Sequence, residues 1–235
     1  MSIPGQIRLL LLGSSAVYGG GYLAHAEEEI RDFLGSIRSL LFVPYALSGR
    51  DAYAERVVEH FAELGFACSS IHRAVDPGGA VDTAEAIYLG GGNTFRLLKT
   101  LHELGLVERI RRRVLAGMPY MGVSAGGNVA CPTIRTTNDM PIVQPPTFDA
   151  MALFPYQLNQ HYVEPPSDST HMGETRDERL LQYLEDNERP VIALREGAML
   201  RVEQGVIHLK GLVGARIFRR GVSPYDIQPP ATISL

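Results

Sequence analysis

Pro119-Tyr120-Met121-Gly122-Val123-Ser124-Ala125-Gly126-Gly127-Asn128-Val129 is the stretch whose reading decides the fold. Apolar residues lead up to Gly122 as in a buried strand, small residues then surround Ser124, and Ala125 to Ala130 can open a helix. A strand, a turn too tight for ordinary side chains and a helix make a nucleophile elbow, which presents one hydroxyl at the carboxyl edge of a parallel sheet. The helix start adds unpaired N–H groups and the positive end of a dipole, both favourable to a nearby oxyanion. The plainer reading is a glycine-rich strand-to-helix turn with a capping serine, and these residues alone do not separate the two.

The flanking pattern bears on that choice. Ile7 to Leu12, Ser39 to Tyr45, Phe66 to Ile71 and Ala84 to Leu89 read as strands. Helical patterns over Tyr22 to Leu34, Asp51 to Leu64, the segment after Thr94 and Leu106 to Leu115 alternate with them. Such alternation predicts an α/β fold with a mostly parallel sheet and helices on both faces. Ligands in these sheets sit beyond the carboxyl ends of the strands. A second glycine-rich turn, Gly90-Gly91-Gly92-Asn93, falls at the same edge. N–H groups of Gly91, Gly92 or Asn93 can meet that of Ala125 to form an oxyanion hole, and Asn93 or Thr94 can equally cap the next helix.

Beyond the elbow, Cys131 to Pro155 reads as a long loop over the site, Tyr156 to Asn159 as a short strand, and Gly173 to about Glu185 as the region of a charged helix. Pro190 to Leu194 is another buried-type strand. A hairpin is expected at Met199 to Glu203 and Val206 to Leu209, and the tail from Gly221, with Pro224, Pro229 and Pro230, reads as a surface arm. The loop Gly19-Gly20-Gly21 lacks the spacing of a phosphate-binding motif.

Composition narrows the function classes. The 235 residues are 45% hydrophobic and 20% charged, and their length suits a single domain over residues 1–235, or two smaller ones. Twenty-six acidic residues outweigh 22 Lys and Arg, with no long basic run, so a nucleic-acid partner is not expected. No apolar stretch approaches the length of about 20 residues needed to span a bilayer, and the N-terminus lacks the cations and cleavage site of a signal peptide. Cys68 and Cys131 have no metal-ligand spacing and read as reduced thiols of a cytoplasmic protein; no metal or cofactor is expected.

A serine nucleophile needs a base, usually a histidine held by a carboxylate. Of seven histidines, His25, His60, His102, His72 and His208 fall in helical, strand-end or hairpin positions away from the expected site. His161, after the short strand that follows the elbow, is the first choice and His171, in a loop, the second. Two carboxylates can orient it. Asp139 gives the order Ser, Asp, His, whereas Glu196 gives Ser, His, Glu and sits at a strand end, where a buried orienting side chain is held more rigidly.

Five segments carry a resemblance: Leu89 to Phe95, Gly122 to Gly126, Cys131 to Val143, Asn159-Gln160-His161 and Gly173-Glu174-Thr175-Arg176. Together they closely resemble the peptidase E family, bacterial aspartyl dipeptidases that remove an N-terminal aspartate. The likeness runs in register over nearly the whole chain, with an insertion near Pro165 to Thr170. It implies a class I glutamine amidotransferase-like sheet and a Ser-His-Glu triad of Ser124, His161 and Glu196, with Asp139 a second candidate acid and partner for the substrate α-amino group. Gly92 and Ala125 would form the oxyanion hole. Arg176, with Arg135 second, would meet the aspartate carboxylate, and Asn93 would contact substrate. The plainer role for Arg176 is a surface charge paired with Glu174 or Glu178. The implied partner is a small peptide with an N-terminal Asp, without nucleic acid or membrane, and a homodimer is compatible. The chain departs from the family at Arg195-Glu196-Gly197-Ala198, where proline more often precedes the glutamate and asparagine follows the glycine, and in its glycine-rich early loop. Alternatives are a cyanophycinase-like enzyme cutting β-aspartyl bonds and a non-catalytic binding protein on the same scaffold. A glutamine amidotransferase would carry Cys at the elbow.

Overall fold

The computed structural model describes residues 3–165, 168, 170 and 172–235. His171, the second-choice base, lies outside them. Strands β1 (Leu9–Leu12), β2 (Ser39–Val43), β3 (Ala67–Ser70), β4 (Ile87–Leu89) and β5 (Tyr120–Val123) alternate with helices α1 (Glu27–Leu34), α2 (Arg50–Glu63), α3 (Pro77–Thr83), α4 (Thr94–Glu103) and α5 (Leu106–Leu115). Helix α6 (Ala125–Asn128) follows the elbow, then β6 (Gln157–Gln160), α7 (Arg176–Asp186) and β7 (Val191–Leu194). Five strands close the chain: β8 (Ala198–Glu203), β9 (Val206–Gly211), β10 (Ala215–Arg219), β11 (Val222–Ile227) and β12 (Ala231–Ile233).

Among the described residues these strands form two sheets. The larger has the order β12-β9-β8-β1-β5-β4-β2-β3. Its pairings from β1 through β5, β4 and β2 to β3 are parallel, and β8, β9 and β12 extend it antiparallel. In β1 every residue is buried because helices cover both faces, which is why the strand is apolar throughout. Leu10 and Leu12 join Ile30 and Phe33 of α1 and Val57 and Phe61 of α2 on one side. Leu9 and Leu11 join Leu97, Leu98 and Leu101 of α4 and Ile110 and Val114 of α5 on the other.

The smaller sheet, β11-β10-β7-β6, corrects the expectation of one β-layer. The tail is corrected too. Instead of a surface arm, it forms half of the β10–β11 hairpin and then β12, which pairs antiparallel with β9 and buries Ile233. Its prolines do not prevent this, because Pro224 lies in an edge strand and the other two precede β12. Helix α3 left no expectation in the sequence, its Gly78 and Gly79 being poor helix formers.

Candidate active site

Strand β5 lies between β1 and β4, so its carboxyl end opens at the middle of the larger sheet's edge. Ser124 follows at once, with φ 50° and ψ −109°, while its N–H remains bonded to the Leu12 carbonyl at 3.1 Å. A non-glycine residue in that region is strained and persists only when its surroundings fix it. Here the next helix folds back over the sheet. A Cβ at Gly126 would lie 2.1 Å from the Leu89 carbonyl oxygen, so only glycine allows the turn.

The second glycine-rich turn runs alongside. A Cβ added at Gly91 would stand 3.3 Å from the Cβ of Ser124, and Gly92, at φ +134°, approaches the Ala46 carbonyl so closely that a Cβ would lie at 2.7 Å. Among the described residues, neither the Gly92 nor the Ala125 N–H donates to a backbone carbonyl. Both remain available at the turn's end.

The base comes from the smaller sheet. His161 follows β6 with φ 53°, and its Nε2 lies 2.9 Å from Ser124 Oγ. Its Nδ1 lies 3.0 Å from Oε1 of Glu196, which stands two residues after β7. An ionised carboxylate can only accept, so Nδ1 carries the proton and Nε2 is left to accept from the serine hydroxyl. The expectation of a buried orienting carboxylate is corrected: the side chains of His161 and Glu196 are 42% and 56% exposed. The site is open to solvent on that side.

Asp139 lies elsewhere. Its Oδ2 accepts the Thr94 N–H at 2.7 Å and the Thr137 hydroxyl at 3.1 Å, which makes it a capping carboxylate for α4 and gives it no bond to His161. Asn93 is likewise engaged: its Oδ1 caps the Arg96 N–H and its Nδ2 donates one hydrogen to the Met140 carbonyl. Arg135 stacks on Phe148 at 5.3 Å, beside an opening of about 360 Å³ whose walls include none of Ser124, His161 or Glu196. Arg176 opens α7. Glu178 caps Thr175 and Glu174 bonds Arg179 and Gln182, so the expected surface pairing of Arg176 with either glutamate does not occur. Partial burial, and then the neighbouring Arg179, pull its pKa below the ordinary arginine value, while Tyr162, the residue after His161, favours its charge.

The family model for peptidase family S51 matches residues 9–210. The chain belongs to peptidase family S51. Within that family it is 47% identical over 228 residues to "Peptidase E" of Streptomyces coelicolor, covering 97% of this chain and 94% of the relative. It is 43% identical to the "Probable alpha-aspartyl dipeptidase" of Drosophila melanogaster, covering 96% and 95%. A crystal structure of a peptidase from an acI-B1 actinobacterium superposes with a TM-score of 0.72 at 18% identity, covering 99% of each chain, which shows the shared fold.

Some residues that support this S51 site went unread in the sequence. The Oγ of buried Ser14, just beyond β1, accepts the Gly197 N–H at 3.2 Å and so holds the turn that carries Glu196. Asn138 Nδ2 donates to the Gln160 carbonyl at 2.6 Å, fixing the backbone immediately before His161. Tyr53 packs against Gly90 and accepts from the Gly91 backbone, and burial raises its pKa. Ser14 alone carried a signal, its place at a strand's carboxyl end. Among the described residues no group of three or more His, Cys, Asp or Glu side chains could hold a metal ion.

Proposed function

We propose that this S51 member is a serine dipeptidase that removes aspartate from Asp-Xaa dipeptides. The observation that carries this reading is the chain of contacts from Ser124 Oγ through His161 Nε2 and Nδ1 to Glu196 Oε1, at 2.9 and 3.0 Å. Ser124 Oγ adds to the aspartyl carbonyl carbon as His161 takes its proton. The oxyanion is received by the N–H groups of Ala125 and Gly92, each such donor being worth about 10²–10³ in rate. Collapse breaks the C–N bond, and His161 gives its proton to the departing amine. Water, deprotonated by His161, then adds to the ester, which releases aspartate and restores Ser124. Glu196 holds the imidazole in the required tautomer and favours the imidazolium that forms.

Preference for aspartate is assigned to Arg176. Sequestering a carboxylate without a cation is costly, and an arginine with no carboxylate partner among the described residues, at the N-terminus of an 11-residue helix, offers both charge and dipole. We assign the activity to the cytoplasm, on the inertness of the two unpaired cysteines: burial pushes the Cys68 and Cys131 thiols up to about 12. No helix of the described residues is long and apolar enough to cross a membrane.

The test is hydrolysis of Asp-Leu, β-Asp-Arg and Ala-Leu by the wild-type chain and by Ser124→Ala. Turnover of Asp-Leu in preference to the other two, reduced about 10⁴-fold or more by the substitution with the fold retained, is the expected result. Preference for β-Asp-Arg would replace the substrate, and undiminished turnover by the variant would remove Ser124 from the mechanism.

A further inference from the structure

His161, Glu196 and Arg176 each have a chain neighbour in one closed circuit of polar contacts. Tyr162 follows His161, Arg195 precedes Glu196 and Asp177 follows Arg176. The guanidinium of Arg195 stacks on the Tyr162 ring, 5.4 Å from its centroid. It also grips Glu164 through Nε and Nη2 and donates to Asp226 at 2.7 Å. Asp226 accepts in turn from Arg216 at 3.0 Å, and Arg216 pairs with Asp177 at 3.1 Å. The Tyr162 hydroxyl donates to Asp177 and closes the circuit.

The circuit joins the segment after β6, the turn after β7, the β10–β11 hairpin and the first turn of α7. Two neighbours hold each of its members, so fixing one contact leaves less side-chain freedom to lose at the next. A planar fork that meets two carboxylates while lying on a ring is a task lysine cannot perform. The need for such a frame follows from exposure. The side chains of His161 and Glu196 are too open for packing to fix them, and proton transfer tolerates displacements of only about 0.5 Å. Their geometry therefore depends on what holds the two backbone segments, and Arg195, itself only 21% exposed, is bonded or stacked to both.

We propose that Arg195 is a positioning residue for the hydrolysis: it fixes His161 against Glu196, while the arm of the circuit through Asp226 and Arg216 sets Arg176. This rests on the serine-dipeptidase reading above. It gives the two ends of the circuit different kinetic signatures, since one aligns reacting groups and the other aligns a binding group.

Arg195→Lys and Arg216→Lys, made in the full chain, are compared with wild type by Asp-Leu kinetics, thermal melting and the NMR signal of the His161 Nδ1–H proton. Arg195→Lys is expected to lower kcat at least tenfold with KM within threefold, and Arg216→Lys to raise KM at least fivefold with kcat within threefold. Because lysine keeps the charge, an upfield move or loss of the Nδ1–H signal in Arg195→Lys reports a loosened Glu196 contact. Wild-type kcat with an unmoved Nδ1–H signal overturns the proposal, as do parallel losses in both variants that track the melting temperature. If Arg195→Lys does not fold, Asp226→Asn decides: it cuts the circuit but leaves Arg195 on Glu164 and Tyr162, so KM must rise while kcat holds, and an unchanged KM overturns the proposal. A wild-type chain that turns over no Asp-Xaa dipeptide removes the functional reading alone, because the His161 Nδ1–H signal still reports on positioning.

Discussion

Ser124 and His161, two non-glycine residues at positive φ, face each other across a 2.9 Å contact. Such strain needs a surrounding that over-determines it, and here it directs both polar groups to one point. Glu196→Gln should reduce kcat for Asp-Leu by about 10³-fold or more, because an amide no longer enforces the Nδ1-protonated tautomer. Asp139→Asn should act through the α4 cap, costing about 1 kcal/mol in urea unfolding with a smaller loss of kcat. If only the second variant loses turnover, Glu196 is not the orienting group. Arg176→Met is expected to erase the preference for Asp-Leu over Ala-Leu, read as a ratio of kcat/KM values, and an unchanged ratio would clear Arg176. The residues that could be paired from sequence, 124, 161 and 196, each stand just beyond a recognisable strand. The role of Asp139 could not be read that way, because its partner Thr94 lies 45 positions away in a contact that leaves no periodic trace.

At the scale of elements, the elbow works because α6 comes within contact of β4. Gly126→Ala should destabilise the protein by about 1–3 kcal/mol in chemical denaturation, since backbone and not a flexible side chain would have to yield. The segment after β6 makes a different prediction. The Arg195 guanidinium holds the Glu164 carboxyl below its ordinary range, so the stability this pair contributes is present above about pH 4.5 and is lost as pH falls through the lower folded-state value. Thermal melts from pH 7 to pH 3 should show a shallower acid decline in Glu164→Gln, modest because the pair is partly exposed to solvent. The central parallel strands β1 and β4 were legible because burial on both faces leaves an unbroken apolar run. The β10–β11 hairpin was not, because β11 is an edge strand whose residues are exposed or half-buried, and its sequence reads like a loop.

Considered whole, the molecule depends on its tail more than proline content suggests. Truncation after Gln228 removes β12, the buried Ile233 and the carbonyl of Leu235 that Tyr156 bonds at 2.8 Å. A loss of about 2 kcal/mol or more in urea unfolding is expected, along with aggregation through the uncovered edge of β9, while kcat per folded molecule is kept. The division into two sheets has a further consequence. Nucleophile and amide donors ride on one slab and the imidazole on the other, with Glu196 in the turn that links them, and proton transfer crosses the seam between them. Sliding of one slab past the other by a fraction of an ångström silences the reaction while each keeps its own ladder of bonds. On warming, turnover is therefore expected to fade reversibly several degrees before cooperative unfolding, with recovery on cooling as its signature.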